Sequence, residues 1–115
     1  MIQIMHNEHC SKSNCALTIL KENQLDFMVR NYMEEPLTGE ELRTLLSQLG
    51  LSAESLVRKN EPEFAAHFEG KVLNDEEWIA ALVAYPMLLQ RPILIQGGKA
   101  FIGRPPEKIL SLLQV

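Results

Sequence analysis

The sequence predicts a mixed α/β fold: a strand–helix–strand unit, a helical middle, and a strand–strand–helix end. Three observations carry this reading. Ile2-Gln3-Ile4-Met5 is apolar at alternate positions, the period of a half-buried strand. Ala16, Leu17, Ile19, Leu20 and Asn23 then fall at the three–four spacing of one helix face. Near the other end, Ile93 to Gln96 and Lys99 to Ile102 are joined by Gly97-Gly98, the pattern of a hairpin with a tight two-residue turn. A strand, a helix and a second strand so close together imply a parallel pair with a right-handed crossover. Adding an antiparallel hairpin makes a four-stranded mixed sheet.

The remaining elements follow from local signals. Asn23-Gln24 closes the first helix, and Asp26 to Tyr32 reads as the second strand, with Phe27 and Val29 on one face. Glu34-Glu35-Pro36 stops it. Thr38-Gly39-Glu40-Glu41 has the form of a capping box, and the helix it starts carries Leu42, Leu45, Leu46 and Leu49 before Gly50 ends it. Ser52 caps a short helix from Ala53 to Arg58, Lys59 to Pro62 is a break, and Glu63 to Phe68 is another short helical piece ended by Gly70. Asn74-Asp75-Glu76-Glu77 starts a further helix with acids in its first turn, and Trp78, Ile79, Leu82 and Val83 form its apolar stripe up to Tyr85-Pro86. Gly103-Arg104-Pro105-Pro106 opens a last helix with Ile109, Leu110, Leu112 and Leu113 as its stripe.

At 115 residues the chain reads as a single domain, 1–115, with a helical insertion at about 38–90. No apolar run approaches the ~18 residues of a membrane span, and no charged-then-apolar leader precedes the first strand. Two cysteines without a leader point to a reducing compartment, so a cytoplasmic location is expected. A net charge of −4 gives no support to nucleic-acid binding.

The chemistry concentrates in His6-Asn7-Glu8-His9-Cys10-Ser11-Lys12-Ser13, between the first strand and the first helix. Unpaired backbone N–H groups at a helix start carry partial positive charge, favour thiolate over thiol, and offer an anion site. Cys10 is therefore the candidate functional thiol, its polar neighbours arguing against a core position. Cys15, inside the helix, reads as a small buried hydrophobe. A Cys10–Cys15 disulfide is awkward, because residues five apart on a regular helix lie roughly 8 Å apart, beyond the ~7 Å reach of a relaxed bridge. A zinc site from His6, His9 and Cys10 lacks a distant second ligand pair, so no metal is expected.

This element order, with a thiol at the first helix start, is the layout of a thioredoxin-like domain. In such domains a proline, commonly cis, precedes the third strand beside the thiol, and Pro92 holds that place. The sequence further resembles the ArsC family of arsenate reductases, which draw electrons from glutathione and glutaredoxin. The resemblance rests on His6-Asn7-x-x-Cys10 with Ser13, on Leu56-Val57-Arg58-Lys59-Asn60, on Pro86-x-Leu88-x-x-Arg91-Pro92-Ile93, and on Gly103-Arg104-Pro105. It implies Cys10 as nucleophile, Arg58, Arg91 and Arg104 around the oxyanion, and His6, Asn7, Ser13 and Pro92 in support, with His6 helping to keep the thiol acidic. It also implies arsenate or a similar oxyanion as substrate, glutathione as co-substrate, glutaredoxin as partner, and no tightly bound cofactor. Guanidinium forks suit such a substrate, since they match tetrahedral oxyanions bidentately and stay charged when partly buried.

The chain departs from the family pattern at Glu8, where a proline is usual, at Ser11-Lys12, where a Gly-Thr pair is usual, and in carrying Cys15. A carboxylate at position 8 opposes both thiolate and oxyanion if it points into the site. Two other functions stay open. A regulator of the Spx type, binding RNA polymerase, switches on a Cys-x-x-Cys pair, and the position three after Cys10 is Ser13. A glutathione-dependent thiol oxidoreductase with another oxyanion or thiol substrate would keep Cys10, and the three arginines favour an oxyanion over a protein disulfide.

Overall fold

A computed structural model describes residues 2–103 and 106–113. The chain divides into two units, one from Met1–Glu35 with Arg91–Val115 and one from Pro36–Gln90. In the first, β1 (Ile2–His6) runs parallel to β2 (Phe27–Asn31) with α1 (Ser11–Glu22) between them in sequence. β3 (Ile93–Gln96) lies antiparallel to β1 on its other side, and β4 (Lys99–Ile102) pairs with β3, giving the order β2-β1-β3-β4. This is the thioredoxin-like four-stranded mixed sheet that the sequence predicts. The hairpin turns at Gly97 and Gly98, whose φ values of 57° and 81° put both central residues in the left-handed region that suits a tight hairpin.

One face of the sheet is covered by α1 and by α5 (Ile109–Leu112). Ile2, Ile4 and Leu94 from the strands meet Ala16 and Leu20 of α1 and Ile109 and Leu113 at the end of the chain, with Leu17, Ile19, Leu25, Phe27 and Phe101 around them. Each such aliphatic side chain contributes roughly 1.5–3 kcal/mol by leaving water. Two expectations change. The last helix is one turn long, and of its expected stripe only Ile109 and Leu113 are buried while Leu110 and Leu112 are exposed. Residues four apart share a face on so short a helix, and the others cannot. The second strand is shorter than the expected Asp26 to Tyr32, and on the face that Phe27 and Val29 share Phe27 packs against the core while Val29 is exposed.

The second unit is helical. α2 (Gly39–Leu49) and α4 (Asp75–Ala84) both begin with the predicted capping boxes, Thr38 with Glu41 and Asn74 with Glu77. Gly50 ends α2 with φ 69°. The two helices pack together and are bridged on the surface by a bidentate Arg43–Glu76 pair, Nε to Oε1 at 3.0 Å and Nη2 to Oε2 at 2.8 Å. Phe64 of α3 (Pro62–His67) stacks on Trp78 at 6.1 Å between ring centres, and His67 stacks on Tyr85 at 4.8 Å. The helix expected from Ala53 to Arg58 is only a single 3₁₀ turn, Glu54–Leu56. Beyond it the backbone joins an antiparallel bridge, with Arg58 N–H donating to Leu88 O and Gln90 N–H to Leu56 O, both at 2.7 Å. That pairing takes the groups a longer helix would have used.

Gly103 follows β4 and donates its N–H to Pro92 O at 2.8 Å. A Cβ there would meet Leu94 Cδ1 at 2.8 Å, Pro92 Cγ at 3.0 Å and Ile109 Cδ1 at 3.3 Å. Gly103→Ala is therefore expected to lower unfolding free energy by about 1–3 kcal/mol, the usual cost of overpacking. Urea unfolding measures it, and an unchanged midpoint would mean that this corner relaxes freely.

Candidate active site

Three segments leave the sheet at one edge. Parallel β1 and β2 end there at His6 and Asn31, which are paired, and antiparallel β3 begins there at Ile93, paired with Met5. Asn7, Tyr32 and Arg91-Pro92 are thus delivered to the same place, the carboxyl end of the parallel strands where ligand sites of open α/β sheets lie. The Arg91-Pro92 bond is cis and Pro92 is fully buried.

Cys10 is the N-cap residue of α1, with extended backbone. The loop before it is tied down by Asn7: its carbonyl accepts from Cys10 N–H at 3.0 Å and its Oδ1 accepts from His9 N–H at 3.0 Å. Asn14 Nδ2 donates to Glu8 O at 2.8 Å from the first turn of the helix. Ser13 is fully buried beneath, its Oγ accepting Asn7 N–H at 3.1 Å and sharing a hydrogen bond with His6 Nδ1 at 2.6 Å.

The thiol's acidity is a contest. Burial pushes the Cys10 pKa up, but the Arg91 side chain and the backbone N–H groups of Ser13 and Lys12 outweigh it and hold the thiol below its ordinary value. Arg91 is itself 9% exposed. Burial works against its charge, and the neighbouring Cys10 and Tyr32 more than restore it, so the guanidinium is held in its charged form. His6 ends β1 just before this loop. Burial lowers its pKa, against a raising influence from Glu8, so the ring favours the neutral form. Its bond is to Ser13, and it is not among the groups that shift Cys10.

The two cysteines exchange the environments expected of them. Cys10 is buried at 8% exposure and Cys15 is exposed. The polar neighbours of Cys10 face outward while its own side chain turns in, and Cys15 lies on the solvent side of α1, away from Ala16 and Leu20. Glu8 points outward too. Its side chain is 59% exposed and lies 3.6 Å from exposed His9 Nε2, and it does not figure among the groups acting on Cys10.

Of the other two arginines, Arg58 lies in the second unit, its Nη1 paired with Glu61 Oε1 and its side chain 15% exposed. Arg104 lies outside the described residues. Sequence reasoning missed Tyr32. It is 1% exposed, with Arg91 and Asn7 close enough to act on its hydroxyl but not in formed hydrogen-bond geometry. An unbonded buried hydroxyl costs about 1–3 kcal/mol. The available signal was topological: the residue after the second strand of a parallel pair arrives beside the loop after the first. Among the described residues no three His, Cys, Asp or Glu side chains gather as a metal site would need, and no helix is long and apolar enough to cross a membrane.

A thioredoxin-like sheet that sets one acidic thiol at a helix start, against an arginine preceding a cis-proline, defines a candidate thiol-and-anion site. The chain belongs to the ArsC family, which it matches over residues 5–112. It is 41% identical over 114 residues to the Escherichia coli protein YfgD, covering 97% of this chain and 96% of that one. It is 36% identical to an arsenate reductase of Neisseria meningitidis serogroup B, covering 97% of each. An arsenate reductase structure from Vibrio cholerae superposes with a TM-score of 0.91 at 36% identity, covering 97% of both chains.

Arg91→Lys keeps the charge and loses the planar fork. Its expected effect is a rise of the Cys10 midpoint toward the ~8.5 of a free thiol, read from alkylation rate against pH. Equal profiles in the two proteins would remove Arg91 from the thiol. The linkage has a definite sign. A folded-state pKa below the unfolded one adds stability that is fully present above the unfolded value and is lost as pH falls through the folded value. Cys10→Ser is expected to lack that pH-dependent increment in thermal unfolding.

Proposed function

We propose that this protein reduces arsenate to arsenite, with Cys10 as nucleophile and glutathione and glutaredoxin as the source of electrons. The observation that carries the reading is the Arg91 guanidinium acting on a Cys10 thiol that caps α1. Family membership and relatives named arsenate reductase support the substrate. Arg58 and Arg104 join the oxyanion set through the motif resemblance alone.

The Cys10 thiolate attacks arsenic and an arsenate oxygen leaves as water after taking up two protons, giving a cysteine–arsenate adduct. Arg91 and the helix-start N–H groups offset the negative charge that crowds the transition state. A glutathione thiolate then attacks the cysteine sulfur, and the sulfur–arsenic pair stays on arsenic, which leaves as arsenite. The Cys10–glutathione mixed disulfide passes to a glutaredoxin thiol, which restores Cys10. Two thiols are oxidised for each arsenic reduced from +5 to +3.

The regulator reading loses its switch, since Ser13 stands where the second cysteine would be and its oxygen serves His6 and Asn7. Arsenate-dependent NADPH oxidation with glutathione, glutaredoxin and glutathione reductase is the deciding assay. Cys10→Ser is expected to abolish turnover and Cys15→Ser to leave it within about twofold, because an exposed thiol away from Arg91 has no place in the scheme. Wild-type protein with an acidic Cys10 and no arsenate turnover would move the substrate to another oxyanion or a disulfide.

A further inference from the structure

β2 is an edge strand. Among the described residues it pairs in the sheet with β1 alone, so the outer row of its backbone N–H and C=O groups faces no strand. The side chains along it are open as well. Met28 is 58% exposed and Val29 48%, although neighbours on a strand point to opposite faces of the sheet. Proteins commonly blunt such an edge with lysine, proline or a bulge. β2 holds neither lysine nor proline; Arg30 is its one charged residue, and exposed Asp26 stands directly before it. The stretch Asp26-Phe27-Met28-Val29-Arg30 therefore reads acid, three apolar residues, base. Reversed against itself, that order is its own complement.

We infer that β2 is a self-association surface, which pairs antiparallel with β2 of a second copy about a two-fold axis at Met28 and joins the two sheets edge to edge. A two-fold contact uses the same patch on both copies, so each pairing occurs twice. In this register Asp26 of one copy stands opposite Arg30 of the other, Phe27 opposite Val29, and Met28 opposite Met28. Asp26, Met28 and Arg30 share one face of the strand, so an ion pair flanks the methionine contact on either side. Phe27 and Val29 share the other face, where Phe27 already packs on the core and exposed Val29 gains an aromatic neighbour. Moving the axis by one residue to Val29 would set Arg30 against Met28 and leave Asp26 without a base. Parallel pairing in register would set Asp26 against Asp26. The charges thus select one arrangement and disfavour the others. Arg30 Nε donates to Glu35 O at 3.1 Å, and a guanidinium with five N–H donors serves more than one partner. A five-residue strand buries less than the roughly 800 Å² per partner of a standard interface, so the dimer is a weak one.

Sedimentation equilibrium of the full chain, kept reduced and run from roughly 10 µM to 1 mM, reads the association directly. Wild-type protein is expected to show a reversible monomer–dimer equilibrium. Asp26→Arg and Arg30→Asp each set like charges opposite one another, and each is expected to weaken dimerisation about tenfold or more. Mixed in equal amounts, the two variants present bases on one copy to acids on the other, and the mixture is expected to recover wild-type association. Met28→Lys, at an exposed position, is expected to stay monomeric throughout. An unchanged Cys10 alkylation rate shows that each variant is folded, since none of these residues lies in the thiol site. Wild-type protein that stays monomeric across the range overturns the inference and leaves this edge to a different partner. A dimer indifferent to all three changes overturns it too, because its contact lies elsewhere. So does a mixture of folded variants that fails to associate, because the matched charges would then not set the pairing.

Discussion

Everything at this end of the sheet depends on a thiol and a guanidinium set beside each other in a place mostly closed to water. Burial alone would quench both, since desolvating an ion costs several kcal/mol even after relaxation. A pair of unit charges about 4 Å apart near a protein surface recovers roughly 4 kcal/mol, enough to reverse that cost only when each ion has further partners. Cys10 finds them in the N–H groups at the start of α1, and Arg91 finds one in Tyr32. The net result is a thiol made more acidic in spite of its burial, which is the combination a nucleophile needs.

The sheet topology supplies that arrangement with few residues. Parallel β1 and β2 release Asn7 and Tyr32 at one edge, and β3, running the other way, brings Arg91 to it just before entering the sheet. The buried cis-proline and Gly103, too crowded for a side chain, fix the backbone next to Arg91. A shift of one residue in any strand would turn the corresponding side chain to the opposite face. The apolar cluster of Ile4, Leu20, Leu94 and Ile109 holds that register, so the core of this unit is a condition of its chemistry as much as of its stability.

How much of this was legible in the sequence follows from which signals are local. Capping boxes at Thr38 and Asn74, the Gly97-Gly98 turn and the alternation in β1 are written within a few residues, and the structure has them all. Cys10 and Arg91 also stand beside backbone signals, a helix start and a proline. What depends on distant pairing was not legible. Val57 and Arg58 continue a local helix signal, but the bridge partner that takes their backbone lies some thirty residues on, and Tyr32 continues a local strand pattern although the groups around it come from other segments. The environments of the two cysteines were misjudged because polar neighbours in sequence do not say which way a cap residue turns. Only the angle between the loop and the helix does that.

That angle also disposes of Glu8. Asn7 accepts from Cys10 N–H with its backbone carbonyl and from His9 N–H with its side chain, so the chain folds back over two residues before the helix starts. In such a turn the residues on either side of it, Asn7 and Cys10, face in, and the two between them face out, as Glu8 and His9 do. The carboxylate is left in water beside His9, where solvent and salt screen it from the thiol. A proline at that position would stiffen the turn by limiting its φ, and here the hydrogen bonds of Asn7, together with Asn14 on the Glu8 carbonyl, restrain the same backbone from inside. The substitution thus changes how the loop is held and not the charge the thiol feels, so a negative residue two places before Cys10 is no argument against an anionic substrate.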